Sequence, residues 1–446
     1  MRYNFTSGSW KLFVLILICN LIAGCASVAP TVQSAQSDAE PKKITLTVWH
    51  DWAAQDSASD IMRELLSQFQ KDNPQIELRL QSVIPDVYRS RIKTIAAADE
   101  LPDVFLIGPD SMTREFVRGG LIQPIDDLLK ANSDWANGFE PRSFDAFTVE
   151  DKKYSVPMTI SPTSLVFYNQ AIFDQYRVPV PQTWEELLQA ISTFNKHGVT
   201  PIALGNKSTW VAPSSIFSTL ADRITGTDWF MNVVSQSGAR FTDASFMDAL
   251  AKMQQLARAR AFQDNFGFID SNQMEQMYFH KQAAMFIEGG WAVGRLIAEA
   301  PKDVLESTHI TVLPAIPGGK GEQMATSGVV GKGFALNAKL EGERRDAALK
   351  LIYTMASPEA QRKMLNGNML VSYRVDVDRT AAHPLFIELH DFMKRVKLLP
   401  AYETQLTTAA VETLNEGIQE LLKGGSPAAI AQKLQDTQAN VLGKFR

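Results

Sequence analysis

Three groups of tryptophan and polar residues follow predicted strands, at the positions where ligands of open α/β sheets usually bind. Trp49-His50-Asp51-Trp52 ends an alternating strand, Trp210 lies in a polar loop, and Trp291 follows a Glu-Gly-Gly turn after a buried strand. Indole faces stack on flat surfaces, and charged side chains form strong hydrogen bonds. A core role is the alternative for each tryptophan, because large aromatic residues are mostly buried.

Motifs of the common enzyme classes are absent from the chain. It contains no GxxxxGK[ST] phosphate loop, no HExxH zinc motif and no GxSxG nucleophile turn. The six histidines are scattered without metal-ligand spacing, so no metal and no cofactor are expected. Two distant carboxylates of a glycosidase are not recognisable from sequence, which leaves a secreted glycoside-acting enzyme as an alternative.

The composition is that of an ordinary globular protein. The 446 residues are 45% hydrophobic and 21% charged, which excludes disordered, collagen-like and coiled-coil classes. At about 100–200 residues per domain, this length predicts two or three compact units. The net charge of −5 argues against a nucleic-acid partner, which would require clustered Lys and Arg to neutralise phosphates.

The first 24 residues have the pattern of an export signal. Arg2 and Lys11 precede an apolar run from Leu12 to Gly24, which is too short to span a membrane as a helix. The run ends in Leu21-Ile22-Ala23-Gly24-Cys25, which resembles the bacterial lipoprotein cleavage box and predicts a lipid anchor on Cys25. An ordinary secretory signal is the alternative. Residues 25–43 are predicted to be a flexible lipidated tether.

Strands and helices alternate along the rest of the chain, which favours an α/β fold with parallel sheets. Alternating or buried strands are predicted at residues 44–48, 76–80, 104–107, 165–168, 202–204, 283–287, 310–313 and 329–336. Thr183 and Glu186 form a capping-box pattern around Trp184, so we assign Trp184 and Glu186 to structure. From about residue 343 onward the pattern is mostly helical.

Several short segments stand in one order along residues 44–365: Val48 to Trp52, Leu101 to Leu106, Gly119 to Ile125, Lys153 to Pro157, Leu165 to Asn169, Pro181 to Leu187 and Ala283 to Trp291. Together they resemble the extracellular solute-binding proteins of ABC sugar importers, the maltose-binding family. Pro201 to Trp210 further resembles the branch that takes oligosaccharides and multiple sugars. Ile107 and Pro162 depart from maltose-binding protein, so the maltose pose is not expected here.

The resemblance implies a two-lobed periplasmic-binding-protein type II fold, each lobe a mostly parallel sheet flanked by helices, with the ligand cleft between the lobes. The first lobe would comprise residues 44–160 and 332–372, and the second residues 161–331 and 373–446. It also implies ligand-binding roles for His50, Asp51, Trp52, Asp110, Ser161, Trp210, Trp291 and Lys332.

Each of these roles has a plain structural alternative. Strand alternation suggests that Trp49 is structural, whereas Asp51 and Trp52 point outward. Asp110 is either a hydroxyl-binding carboxylate or the N-cap of a helix over residues 111–118. Ser161 and Lys332 lie near the two predicted hinge crossings. The alternative for each is a linker residue without a ligand contact.

We therefore expect a monomeric, lipid-anchored receptor that captures a sugar by hinge closure, performs no chemistry and delivers the sugar to ABC permease subunits. The alternatives are a receptor of the same fold for a non-sugar solute, a secreted glycoside-acting enzyme, and a sensor that signals to a membrane kinase.

Overall fold

The computed structural model describes residues 43–53, 57–109, 111–140 and 143–443. The predicted signal segment and the tether up to residue 42, including Cys25, lie outside the described residues. Within the described part of the chain, no helix is both long enough and apolar enough to cross a membrane.

Fourteen strands are present among the described residues, and their bounds are β1 (Ile44–His50), β2 (Ile76–Ser82), β3 (Val104–Ile107), β4 (Ile122–Gln123), β5 (Thr148–Val149), β6 (Lys152–Lys153), β7 (Ile160–Pro162), β8 (Leu165–Asn169), β9 (Thr200–Ala203), β10 (Ala283–Glu288), β11 (Thr308–Val312), β12 (Ala325–Val330), β13 (Gly333–Asn337) and β14 (Lys397–Pro400).

The α-helices of the same residues are α1 (Ser57–Asp72), α2 (Pro85–Ala97), α3 (Ser111–Arg118), α4 (Asp126–Ala131), α5 (Ser133–Ala136), α6 (Gln170–Gln175), α7 (Trp184–Lys196), α8 (Ser218–Thr225), α9 (Thr227–Val234), α10 (Ala244–Arg258), α11 (Ser271–Phe279), α12 (Ala292–Glu299), α13 (Lys302–Glu306), α14 (Gly342–Met355), α15 (Pro358–Asn366), α16 (Pro384–Met393), α17 (Tyr402–Gln405), α18 (Thr408–Leu422) and α19 (Pro427–Gly443). A 3₁₀ turn (Asp145–Phe147) and a π-helical segment (Ala212–Phe217) complete the set.

The first sheet has the strand order β2-β1-β3-β13-β4. β1 lies parallel to β2 and β3, whereas β13 returns from far along the chain and lies antiparallel to β3 and β4. All four residues of β3 are buried, as the uniformly apolar sequence Val104–Ile107 predicts for a strand covered on both faces.

The second sheet has the order β11-β8-β10-β9. Only β9 and β10 are parallel, because β8 runs antiparallel to both of its neighbours. The prediction of mostly parallel sheets is therefore wrong in detail: both sheets are mixed. Strands added from distant parts of the chain need no local crossover helix, so their direction is not set by the strand–helix alternation.

A third, smaller sheet connects the two others and consists of β14-β12-β7. The single strand predicted over residues 329–336 is wrong, because β12 belongs to this connecting sheet and β13 to the first sheet. The extended strand is interrupted at Gly331, where a Cβ atom would lie 1.8 Å from Thr159 Oγ1. A side chain at residue 331 would displace Thr159, which favours glycine at this position.

The core follows the two large sheets. One buried cluster extends from the first sheet onto one face of the second, where it includes Phe167 and Phe286. A second cluster covers the opposite face, where it includes Val166 and Met285 and the helices α10, α18 and α19. The side chains of neighbouring residues in a strand thus pack into different clusters on opposite faces of the sheet, as the pleat of a β-strand requires. We call the parts of the molecule built on the two sheets the first and second lobes.

The structural assignment of the helix that begins after Thr183 is confirmed. Thr183 and Glu186 form a capping box, and Trp184 is 2% exposed. The Trp184 indole donates a hydrogen bond to Gln255 Oε1 at 2.9 Å, which joins α7 to α10 within the second lobe.

Candidate functional site

A cavity of about 510 Å³ lies between the two lobes. This volume falls within the range of roughly 300–1,000 Å³ that is usual for small-molecule sites. The first lobe contributes α2, the end of β3 and the start of α3, and the second contributes the loop after β9, the π-helical segment, α17 and α18. Both lobes therefore supply walls to one cavity.

Trp210 and Trp291 line this cavity together. Their ring centroids are 6.2 Å apart and their planes are inclined at 54°. Trp291 is 44% exposed, far more than a core tryptophan, whereas Trp210 is half-buried. The core alternative is therefore wrong for Trp291, whose indole presents an open face to the cavity.

The turn before Trp291 explains how its ring is placed. A Cβ atom on Gly289 would lie 2.1 Å from Cζ3 of the Trp291 ring, so the indole folds back over a position that only glycine leaves free. Gly290 packs at the same place against Pro162 of the connecting sheet. The Glu-Gly-Gly sequence is thus a local requirement of the tryptophan's position.

The loop that carries Trp210 is held by Asn206 and by an unusual backbone segment. Asn206 Oδ1 accepts a hydrogen bond from the Ala212 N–H at 2.9 Å, and Thr209 has a φ of 60°. The π-helical segment that follows places Pro213 and Ser214 in the cavity wall. Such π-helical turns occur frequently at functional sites.

Lys332 lines the cavity, and Asp51 lies behind it. The Lys332 ammonium donates to Asp51 Oδ2, and the side chains of Lys332 and Asp51 are 46% and 6% exposed, respectively. The expectation that Asp51 points outward is therefore wrong. The two residues join the end of β1 to the turn before β13, so their ion pair holds Lys332 in the cavity wall.

His50 and Trp52 flank Asp51 in the sequence and pack inside the first lobe. The His50 side chain is buried, and its ring stacks on Trp52 at a centroid distance of 4.9 Å. Burial and, to a smaller extent, Arg63 lower the pKa of His50 to about 4, although Asp51 acts against them. Trp52 is half-buried and packs edge-on against Phe334. Among the described residues, neither His50 nor Trp52 belongs to the cavity lining.

The three remaining predicted residues have different outcomes. Ser161 lies half-buried in β7 and pairs with Val329 of the connecting sheet, outside the cavity lining that the described residues form. Asp110 and Cys25 lie outside the described residues.

The structure adds residues that the sequence patterns did not single out. Tyr88 and Arg89 come from α2, Glu403 from α17 and Asn415 from α18, and all four line the cavity. The Tyr88 hydroxyl donates to the Leu106 carbonyl at 3.0 Å, and burial raises its pKa. The apolar spacing of a helix predicts which residues face its own lobe. It does not predict which of the remaining residues face a second lobe, so these four were not identified.

Positive and negative side chains nearly balance along the cavity wall. The cations of the lining are Arg89, Lys93 and Lys332, and its carboxylates are Glu403 and Glu412. Lys93 of the first lobe faces Glu412 of the second at 3.7 Å, and Lys332 is paired with Asp51. Within the described residues, no cluster of His, Cys, Asp and Glu has the arrangement of a metal site. The wall therefore suits an uncharged, hydroxyl-bearing ligand better than an ion.

A polar seam connects the lobes beside the cavity. The Arg114 guanidinium of α3 donates to the backbone carbonyls of Thr404 at 2.8 Å and Gln405 at 3.2 Å, at the end of α17. The Ser111 and Thr408 hydroxyls meet at 2.7 Å in the same region. α17 and α18 pack within the second lobe through Tyr402 and other apolar residues, so these bonds cross from one lobe to the other.

Residues 54–362 match the family of bacterial extracellular solute-binding proteins. The chain belongs to this family. It is 23% identical to a multiple sugar-binding protein of Streptococcus mutans over 77% of this chain and 78% of that protein. Membership places the protein on the extracytoplasmic side of the membrane and confirms the resemblance that the sequence motifs carry.

Two solved structures share the fold. One, from work on xylan utilisation by Caldanaerobius polysaccharolyticus, superposes with a TM-score of 0.79 at 26% identity and covers 88% of this chain and 99% of its own. The other, a chitin oligosaccharide binding protein, has a TM-score of 0.81 at 23% identity and covers 90% of this chain and 100% of its own. The two-lobed fold with a cleft between the lobes is thereby confirmed.

Proposed function

We propose that this solute-binding protein captures a neutral oligosaccharide in the cavity between its lobes and delivers it to the permease subunits of an ABC importer. The observation that carries the proposal is the pair of indoles, Trp210 and Trp291, in the wall of an interlobe cavity. Pyranose rings offer C–H faces for such indoles and hydroxyls for the surrounding polar side chains.

Charge favours a neutral ligand over the other solutes that this fold accommodates. The cations and carboxylates of the lining compensate one another, partly in pairs that are already formed. A phosphate ester or a polyamine would leave one sign of charge without a partner, which is costly in a partly desolvated site. The named sugar specificities of the relatives are in agreement with this reasoning.

Closure of the lobes would couple binding to transport. We place the first lobe at residues 44–160 and 332–372 and the second at residues 161–331 and 373–446, with β7 and β12 of the connecting sheet at the hinge. A ligand that contacts both lobes stabilises the closed form, because it has more contacts there than in the open form. The permease would then recognise the closed form, and the protein would release the sugar unchanged.

We further propose that a lipid on Cys25 tethers the protein near the importer. Tethering raises the effective concentration of the receptor at the permease. Cys25→Ser should prevent incorporation of radiolabelled fatty acid and release the protein from the membrane fraction. A wild-type protein that takes up no label would exclude the anchor and leave the binding function untouched.

A thermal-shift panel tests the binding function. It contains maltotriose, raffinose, xylotriose and chitotriose, with spermidine, glucose 6-phosphate and the matching monosaccharides as comparison solutes. We expect at least one neutral oligosaccharide to raise the melting temperature, since a ligand that binds only the native state stabilises it. A shift with spermidine or glucose 6-phosphate alone would contradict the proposal, and shortened oligosaccharides after incubation would establish the enzyme alternative.

A further inference from the structure

A carboxylate lies beside the Trp210 loop in the cavity wall. Glu403 of α17 is half-buried and lines the cavity together with Trp210 and Ser214. The Ser214 hydroxyl donates a hydrogen bond to Glu403 Oε1 at 2.5 Å, and the Ser214 N–H donates to the Trp210 carbonyl at 3.0 Å. Ser214 therefore connects this carboxylate to the segment that carries the indole.

We propose that Glu403 is a specificity-determining residue, whose carboxylate accepts a hydrogen bond from a hydroxyl of the sugar ring that stacks on the indoles. An ionised carboxylate is an acceptor only, and its hydrogen bonds are roughly twice as strong as those between neutral groups. It offers about four lone-pair directions, so it accepts from Ser214 and from a ligand hydroxyl at the same time. This inference rests on the proposed function, in which a neutral oligosaccharide occupies the cavity.

The backbone of Glu403 is fixed by the residues on either side of it. Tyr402 is fully buried, and its ring stacks on Phe230 of the second lobe at a centroid distance of 3.7 Å. The Thr404 carbonyl accepts a hydrogen bond from Arg114 of the first lobe at 2.8 Å. A side chain on a backbone held in this way loses little conformational freedom when a ligand binds, which favours affinity.

Ser214 is itself supported by two hydroxyl groups of the connecting sheet region. Its carbonyl oxygen lies 3.4 Å from Thr163 Oγ1 and 3.3 Å from Ser327 Oγ. These two hydroxyl oxygens are 2.8 Å apart, and both residues are buried. Thr163 directly follows β7 and Ser327 belongs to β12. Ser214 is therefore a positioning residue, which is fixed through its backbone and directs its hydroxyl to Glu403.

The second carboxylate of the cavity wall is less suited to this role. The Glu412 side chain is 68% exposed and lies 3.7 Å from Lys93 of the opposite lobe. Water competes with a ligand for an acceptor that is this exposed, so a hydrogen bond there contributes little to affinity. Glu403 is half-buried, and a ligand hydroxyl at its carboxylate meets less competition from water.

The affinities of Glu403 variants test the inference first, with the oligosaccharide of the panel that raises the melting temperature most. Glu403→Ala should weaken binding about thirtyfold, because a hydrogen bond to a charged acceptor is lost. Glu403→Gln keeps an oxygen at the same place without the charge and should weaken binding about fivefold. Isothermal titration calorimetry measures both affinities. A loss of less than tenfold in Glu403→Ala would overturn the inference.

Monodeoxy analogues of the same oligosaccharide separate a direct contact from a structural role. In wild type, the analogue that lacks the recognised hydroxyl should bind at least tenfold more weakly than the parent sugar. In Glu403→Ala the analogue and the parent should bind equally, because the partner of that hydroxyl is already absent. If Glu403→Ala folds poorly, Glu403→Gln replaces it, and the penalty for the missing hydroxyl should be smaller than in wild type. The same penalty in wild type and variant would overturn the inference.

A double-mutant cycle tests the positioning role of Ser214. Ser214→Ala removes the hydroxyl that orients the carboxylate and should weaken binding about threefold in the wild-type background. In the Glu403→Ala background it should add nothing, because there is no carboxylate left to orient. An equal loss in both backgrounds would show that Ser214 acts independently of Glu403 and overturn its positioning role.

A matched carboxylate outside the described cavity lining serves as the control. Glu416 of α18 pairs with Lys433 at 3.4 Å, and both side chains are more than half exposed. We expect Glu416→Ala to bind the oligosaccharide as wild type does. If no oligosaccharide binds to wild type, the proposed function fails and this inference with it. If wild type binds and Glu403→Ala binds equally well, the inference alone fails.

Discussion

Trp210 and Trp291 lie with ring centroids 6.2 Å apart although they stand in separate loops of the second lobe. The two loops follow β9 and β10, which are adjacent parallel strands. The carboxyl ends of adjacent parallel strands lie at the same sheet edge, where ligands of α/β sheets usually bind. The pairing of these strands therefore brings the two indoles together in one cavity wall.

Removal of the Trp291 indole should abolish most oligosaccharide binding. Trp291→Ala should weaken binding about thirtyfold, because an aromatic anchor of a binding site contributes about 2 kcal/mol. The melting temperature of the free protein should hardly change, since 44% of this residue is already exposed. Isothermal titration calorimetry measures the affinity. Phe268→Ala, at a residue 78% exposed and outside the described cavity lining, is the matched control and should bind normally.

Loss of the Lys332 ammonium should lower the free energy of unfolding of the protein. Lys332→Met leaves Asp51 buried without its cation and should cost about 2 kcal/mol in the free energy of unfolding. Urea denaturation measures this cost. Asp51→Asn combined with Lys332→Met should recover more than half of it, because no unpaired charge remains.

The matched control for this ion pair lies on the surface of the first lobe. Lys339 pairs with Asp99 at 2.6 Å, and both side chains are more than half exposed. Lys339→Met should therefore cost under about 1 kcal/mol. Equal losses in the two lysine variants would contradict the assignment of the Lys332–Asp51 pair as a buried support.

The seam around Arg114 should stabilise the closed form. Arg114→Ala removes donors to the Thr404 and Gln405 carbonyls of the other lobe and should weaken oligosaccharide binding about tenfold, mainly through faster dissociation. Stopped-flow fluorescence measures the dissociation rate. Lys130→Ala, on an exposed part of α4, should leave it unchanged. A slower association rate with unaltered dissociation would contradict the role in closure.

His50 should make the protein sensitive to mild acid. Its pKa is lowered to about 4 in the folded protein, against about 6.5 in the unfolded chain, so the unfolded state binds more protons between these values. Stability should therefore fall by about 3 kcal/mol as the pH drops from 6.5 to 4. Denaturation of wild type and His50→Gln at several pH values measures this dependence. Parallel curves for the two proteins would contradict it.

Much of the fold follows from local patterns. The strand at Val104–Ile107, the capping box at Thr183 and the buried strand at Ala283–Ile287 were all predicted, because each is defined by residues within one element. The direction of β8 and the break at Gly331 were not predicted. Both depend on which distant strand lies alongside, and no local pattern carries that information.

The candidate site divides in the same way. Trp210, Trp291 and Lys332 were identified from the sequence and line the cavity, whereas Arg89, Glu403 and Asn415 were not identified. The first three were identified through the family resemblance, at loops after predicted strands or near a predicted hinge crossing. The others lie on amphipathic helices, and the face that a helix presents to another lobe is determined by the packing of both lobes.

The amino-acid sequence alone determined the family, the alternation of strands and helices, and the tryptophans next to strand ends, because these depend on residue type and spacing over short distances. The tertiary structure alone decided that Asp51 is buried beneath Lys332 and that the lining charges compensate one another. Burial and pairing arise when distant segments pack together, so the chain's local patterns contain no measure of them.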